Sequence, residues 1–305
     1  MLLVCAVAYS QSKTEKLLSA YKDDMKNNRY QAALKKIDKL MQTEEDKYSL
    51  LCDKGICFYY LKKYQLAFDS YSDAIAFKKD SSRAYYLRGL FYLSAEKEQN
   101  AIQDFSYALK FSNDTMFKLS CYINRASAKI NLRNFESAYK DLMKGYELDS
   151  NNLGILNNLA LVCDHVGKGD LTLVYLYRII EIDSLSEFAL SNIGFKLQQD
   201  GKYIESIPYF TKCIGIAKNM EQGIPYCNRA YSYLQLGKIN EALSDIRKSI
   251  EIYPENSYAY VVFAEINIAQ KDYRKACDNL TIALQKNYTK KYGDKAVQLE
   301  NQYCK

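Results

Sequence analysis

The sequence predicts an all-α fold, an elongated array of helix pairs, and three observations carry that prediction. First, Tyr122 to Ala126 reads YINRA and Tyr226 to Ala230 reads YCNRA, so the chain repeats itself at long range. Second, only three prolines and twelve glycines interrupt 305 residues, and Ala, Leu, Lys, Glu, Gln and Tyr fill long windows with apolar residues three or four apart. Third, small residues keep one beat. Ala33, Ala67 and Ala101 each follow the last by 34 residues, and the series continues through Ala138, Thr172, Ser206, Ala242 and Ala276. Twelve residues upstream a second register holds Tyr21, Gly55, Gly89, Ala126, Ala160, Gly194, Ala230 and Ala264. Four residues downstream of the first, a third register is apolar throughout: Ile37, Tyr71, Phe105, Leu142, Leu176, Phe210, Ile246 and Leu280. Small residues at a fixed offset let two helices approach, and the large residue one turn on fills the space beside them.

At the N-terminus, MLLVCAVAYS is a short apolar run ending in Ala8-Tyr9-Ser10 before Gln11. Residues 1–10 read as a signal peptide with a clipped or mis-assigned start, because the positively charged beginning is missing. The alternative is a frayed helix segment, and a lipid attachment through Cys5 is disfavoured by the bulky Val4 before it. The expected location is therefore exported, periplasmic or cell envelope, with the cytoplasm as the alternative. No other run approaches the roughly 20 apolar residues of a membrane span.

From Thr14 onward the turn chemistry follows the beat. LKKY at Leu61, LRNF at Leu132, QDGKY at Gln199 and QLGKI at Gln235 place Gly or a polar pair just before a second helix. Between pairs, ELDSNN, EIDSLS and EIYPEN supply the Asp, Ser, Asn and Pro that stop one helix and cap the next. The tail GDKAVQLENQYCK has helical spacing in Ala296, Leu299 and Tyr303, which fits a terminal helix over the last apolar face.

This pattern resembles the tetratricopeptide repeat (TPR) family. The resemblance covers residues 14–288 as eight units, with residues 289–305 as a C-terminal capping helix, and the tail is also similar to the endings of some bacterial envelope TPR proteins. It implies a right-handed superhelical solenoid of about eight TPR helix pairs, whose first helices line the inner surface and which needs no cofactor. The family's first-helix tryptophan is replaced by Leu17, Leu51, Tyr85, Tyr122, Leu156, Leu190, Tyr226 and Tyr260, and its linker proline survives only as Pro254. The fifth unit, with Thr172 in the Ala slot and the lone His165, is expected to pack less regularly. Two long steps place extra residues near Asn113 to Phe117 and near Ala217 to Glu221, where longer connections between units are expected.

The repeated Asn-Arg-Ala divides into two signals. Arg88, Arg125 and Arg229 share one slot, and Asp104, Asp141 and Asp245 each follow sixteen residues later; the five units without this Arg lack this Asp as well. Residues that come and go together are expected to meet as charge-assisted pairs, a structural role. Asparagine is different. Asn124, Asn158, Asn192 and Asn228 hold one slot of four consecutive first helices, although Asn costs a helix about 0.5 kcal/mol or more relative to Ala. A side-chain amide carries donor and acceptor, so a ladder of amides can pair with the backbone of an extended peptide. Such a ladder is similar to those of long TPR superhelices that hold extended segments; the bland alternative is local polar contacts. Tyr86 and Tyr258 are the tyrosines assigned to the same face.

The remaining chemistry is sparse. The net charge of +6 is spread in pairs such as Lys62-Lys63 and Lys290-Lys291, without the aligned basic residues of a nucleic-acid footprint. Nine cysteines include no C-x-x-C, and with one histidine neither zinc nor Cys-His catalysis has its raw material. Most cysteines fall at small apolar slots; Cys277 and Cys304 are the candidate disulfide if the chain meets an oxidising space. The slots of the carboxylate clamp that grips acidic chaperone tails hold Asn157, Leu161, Ile224 and Asn228 around Asn192, and Ser191, Phe195, Tyr258 and Val262 around Asn228, so the clamp's cations are missing. No phosphate loop, serine elbow or metal spacing points to an enzyme. The expected function is a non-catalytic scaffold binding an extended segment of a partner protein in a concave groove, in cell-envelope assembly or secretion. The alternative is a self-assembling protein with an idle groove.

Overall fold

The computed structural model describes residues 2–43, 47–216 and 223–304, with side chains from residue 14 onward. The signal-peptide reading of residues 1–10 turns on side chains outside the described residues, and so does the longer connection expected near Ala217 to Glu221. The chain divides into two compact units, residues 1–158 and 159–305.

In the first unit, α1 (Leu2–Lys26), α2 (Tyr30–Leu40), α3 (Tyr48–Tyr60), α4 (Tyr64–Phe77), α5 (Ser82–Ser94), α6 (Glu98–Phe111), α7 (Thr115–Asn131) and α8 (Phe135–Leu148) pack each on the next through α8, and α5 also touches α3 and α7. The small residues of the beat sit where paired helices meet. Ala33, Ala67, Ala101 and Ala138 are fully buried, and Ile37, Tyr71, Phe105 and Leu142 fill the space one turn on.

The unit boundary falls inside α9 (Leu153–Cys163). In the second unit, α10 (Asp170–Ile182), α11 (Glu187–Gln199), α12 (Tyr203–Ile216), α13 (Gly223–Gln235), α14 (Ile239–Ile252), α15 (Ser257–Ala269) and α16 (Tyr273–Gln285) repeat the scheme, with α13 touching α11 and α15. Ser206 and Thr172 are buried in the Ala slot beside Phe210 and Leu176. The fifth pair is irregular: α9 gives way to a single 3-10 turn, Asp164–Val166, and then to Gly167 at φ 68°.

Helix stops follow a rule that is only half visible as glycine. Within each pair the first helix ends on a left-handed residue: Asn28, Lys62, Glu96 and Arg133 in the first unit, Gly167, Gly201, Gly237 and Lys271 in the second. The amide just after it reaches back to a carbonyl of the last turn, as Lys97 N does to Tyr92 O (2.8 Å) and Lys202 N to Leu197 O (2.8 Å). That is the Schellman closure, which satisfies carbonyls the helix end would otherwise orphan. A left-handed L-residue costs roughly 1–2 kcal/mol, so the non-glycine turns are held by the packing of the pair rather than by propensity. Helix starts use the anticipated caps. Asn152 accepts from Ile155 N (3.2 Å), Ser186 from Ala189 N (3.4 Å) and Asn256 from Tyr258 N (3.2 Å).

Two expectations need correction. The extra residues near Asn113 to Phe117 do not lengthen a connection: α7 has 17 residues where α3, α5, α11, α13 and α15 have 13. Asp114 caps it by accepting from Phe117 N (2.6 Å), and no breaker follows, so the insertion is absorbed as an added helical turn. The terminal cap is two helices, α17 (Tyr288–Tyr292) and α18 (Lys295–Tyr303), and it begins at Tyr288, whose ring is buried with Ala296 against Val261, Ala264 and Leu280. A disulfide joins Cys277 on α16 to Cys304 after α18. Among the described residues no helix is long and apolar enough to cross a membrane.

Candidate functional site

The Arg and Asp slots meet in all three cases. Arg88, Arg125 and Arg229 each donate through Nε and Nη2 to both carboxylate oxygens of Asp104, Asp141 and Asp245, at 2.6–3.0 Å. A planar fork on a carboxylate fixes orientation as well as distance. The third nitrogen has a partner that the sequence reading missed. Nη1 donates to Ser72 Oγ (3.3 Å), Ser106 Oγ (2.8 Å) and Thr211 Oγ1 (2.9 Å), each on the second helix of the preceding pair. In the first unit the equivalent slot before Lys54 holds Asp38, and Lys54 Nζ donates to it at 2.8 Å. Each guanidinium thus ties three helices together, and it also lies over a first-helix tyrosine, Tyr85, Tyr122 or Tyr226, 5.6–5.8 Å from the ring centre.

The four asparagines are not equivalent. In the first unit Asn124 uses its amide nitrogen twice, donating to Tyr86 Oη (3.1 Å) and to the carbonyl of Ser120 (2.9 Å). Tyr86 packs against Phe105 and Phe117, with burial raising its phenol pKa, so this pair of site residues faces inward on itself. Asn158 closes the first unit. In the second unit Asn192 is exposed and its amide nitrogen donates to the carbonyl of Phe188 (2.7 Å). The backbone carbonyl of Asn228 accepts from Gln198 Nε2 (2.6 Å).

Asn192 and Asn228 each line a cavity on the first-helix face of the second unit. The cavity at Asn192 holds about 330 Å³ and is bordered by Leu161, His165, Phe188, Phe195, Lys196 and Gln199. The cavity at Asn228 holds about 470 Å³, walled by Phe195, Ile224, Tyr253, Tyr258, Tyr292 and Lys291. Phe195 stands between them, 49% exposed. Tyr258 therefore shares a cavity with Asn228, and burial lifts its phenol pKa so that the hydroxyl is kept as a donor. Phe188, Asn192 and Phe195 lie at i, i+4 and i+7 of α11, a one-face spacing that could have been read beside the asparagine slot. A third cavity, about 370 Å³, lies in the first unit between Ile56, Tyr59, Tyr60, Leu87, Leu90 and Phe91. Chemically these faces offer apolar slots separated by amides and hydroxyls, and no metal-binding cluster occurs among the described residues. The six free described thiols are buried, which pushes Cys52 up to about 11 and Cys121 to about 12 and leaves them inert near neutrality.

Comparison with known proteins agrees with this architecture. The tetratricopeptide repeat family matches residues 119–152 and residues 224–256. A DnaJ homolog subfamily C member 7 homolog of Schizosaccharomyces pombe is 35% identical over 63 residues, 21% of this chain and 13% of that protein's length. Among solved structures, the APC/C hetero-tetramer Cut9-Hcn1 superposes with a TM-score of 0.61 at 13% identity, over 95% of this chain and 55% of that one. Pseudomonas aeruginosa pilF gives 0.59 at 13% identity, over 72% and 97%. YrrB, described as a TPR protein with an unusual peptide-binding site, gives 0.51 at 19% identity, over 62% and 95%. At these identities the likeness is one of fold.

Proposed function

As a chain built of tetratricopeptide repeats, and so a protein-interaction scaffold, this protein is one that we propose binds an extended peptide segment of a partner on the first-helix face of its second unit, without catalysis. One observation carries the reading: Asn192 and Asn228 border adjoining cavities divided by the exposed Phe195. An extended chain sets alternate side chains on one side, and two apolar side chains of such a segment fit the two cavities while its backbone meets the amides. YrrB, whose fold is similar, is described by its peptide-binding site.

Selection from a displayed peptide library followed by fluorescence anisotropy tests this. Asn192→Ala with Asn228→Ala should weaken a selected peptide by roughly five- to a hundredfold, since two hydrogen bonds contribute about 0.5–1.5 kcal/mol each. Phe195→Ala should cost at least about tenfold, as truncation of a central aromatic anchor does. Wild-type affinity in both folded variants would move the binding surface elsewhere, to the outer helices or the ends.

We also propose that the chain works in an exported compartment of the cell envelope. The apolar run of residues 1–10 and the joined Cys277–Cys304 pair support this, because disulfides persist in oxidising spaces and are rare in reducing ones. Rapid alkylation of living cells, then mass spectrometry, should find Cys277 and Cys304 unlabelled until reductant is added. Labelling of both in the first step would place the chain in a reducing compartment.

A further inference from the structure

The cavity at Asn228 is not made by the repeats alone. Tyr288, Lys291 and Tyr292 of the cap form one wall, with the Tyr292 ring 5.6 Å from that of Tyr258. The cap folds back over the first-helix face: α17 packs on α15, and Lys295 Nζ reaches Glu265 on α15 (2.7 Å) while lying over the ring of Tyr231 on α13. Its far end is tied to the outer helix of the last pair by the disulfide and by stacking of Tyr303 on Tyr273 at 5.6 Å. The cystine therefore closes a loop spanning 27 positions that contains the whole cavity wall.

The anchors differ in kind. Lys295 and Glu265 are partly exposed, α17 has five residues, and Gly293 joins α17 to α18 at φ 85°. A helix that short has little stability of its own; the burial of Tyr288 and Ala296 seats its base, and the held ends fix the rest of the wall. Cys277 and Cys304 are half-buried, whereas the six other described cysteines are fully buried and inert.

From this we infer that the peptide site of the second unit is redox-regulated: the Cys277–Cys304 disulfide holds the cap as a cavity wall, and its reduction releases the wall and weakens binding. In the reducing step a soluble dithiol attacks one sulfur of the cystine and a mixed disulfide forms. The dithiol's second thiolate then displaces it, so the protein gains two electrons and two protons as two thiols while the reagent leaves as its cyclic disulfide. The inference rests on the peptide-binding reading for its consequence, and on the cap geometry for its cause.

The test uses the full chain, oxidised or treated with dithiothreitol, with two readouts. Hydrogen exchange should rise at least tenfold in residues 288–303 on reduction and stay unchanged in α11–α14. A peptide selected on the oxidised chain should bind at least about fivefold more weakly after reduction. Cys277→Ser with Cys304→Ser should match the reduced chain and no longer respond to reductant. Unchanged exchange in 288–303 overturns the inference, and so does faster exchange with unchanged affinity. Exchange needs no peptide, so a chain that selects none would sink the interaction reading alone, and exchange would still decide whether the disulfide controls the cap.

Discussion

Asp141→Ala is expected to destabilise the first unit by about 3–5 kcal/mol, the loss seen when one member of a buried charge cluster is removed. Asp141 is 5% exposed and accepts from Arg125 Nε and Nη2 and from Lys129 Nζ (2.6 Å), so its loss strands two cations that are themselves only 15% and 12% exposed. The loss is the penalty of unpaired buried charge, not the net worth of the bonds. Replacing all three by apolar residues of similar size, Arg125→Leu, Lys129→Met and Asp141→Leu, should therefore recover most of it. Asp38→Ala is the exposed comparison. It removes the partner of Lys54 between pairs, in the slot that Ser106 fills for Arg125, and because Asp38 is 58% exposed, solvent screening should hold the cost to under about 1 kcal/mol. Urea titration measures each, with the midpoint shifting and the slope unchanged. A cost below about 1 kcal/mol for Asp141→Ala would mean that water replaces the carboxylate, and that the Arg slot is not a structural tie.

The contrast between these aspartates shows which relations a single sequence can expose. Arg125 and Asp141 were readable as partners because the same two residue types appear and vanish together at one offset, sixteen positions. Ser106 belongs to the same cluster but was not readable, since Ser, Thr and Asp all serve in its slot and the offset from the arginine varies from 16 to 19. The helix pairs themselves were legible because small residues recur wherever two helices must touch. Their turns were legible through glycine at Gly201 and Gly237 and through a polar pair at Leu61 and Leu132, but the left-handed geometry of Lys62, Glu96 and Arg133 is announced by nothing in their chemistry. Likewise the insertion before Ser120 was visible as a number of residues, but whether it became loop or helix depended on the cap at Asp114. The candidate site was legible in its amides and not in its walls. The asparagines share a slot along the chain, whereas the cavity at Asn228 is completed by Tyr292, 64 residues away on the cap, and no periodicity links the two.

Gly55→Ala is expected to cost about 1–3 kcal/mol although alanine is the better helix former. A Cβ at position 55 would lie 2.3 Å from Cε1 and 2.6 Å from Cδ1 of Tyr71, far inside contact distance, so the ring, 3% exposed on the wall of the first unit's cavity, has to leave its packed position. Overpacking of this kind outweighs the roughly 1 kcal/mol that Ala gains over Gly in a helix. The same relation recurs where the small slot is glycine: Gly89 faces Phe105 with a would-be contact of 2.8 Å, and Gly194 faces Phe210 at 2.7 Å. Where the slot is alanine, at Ala126, Ala230 and Ala264, the residue sixteen positions on is Leu142, Ile246 or Leu280. Ring against hydrogen and branched chain against methyl are two solutions to one volume, and mixing them is what the substitution does. Tyr71→Leu added to Gly55→Ala should therefore restore stability to within about 1 kcal/mol of the parent, a coupling that independent sites would not show. Gly215, a helical glycine with open space around its Cβ position, supplies the opposite sign: Gly215→Ala should gain up to about 1 kcal/mol. If Gly55→Ala were as stable as the parent, the Tyr71 ring would be free to move, and the glycines of the repeat would reflect something other than the space its aromatic partner needs.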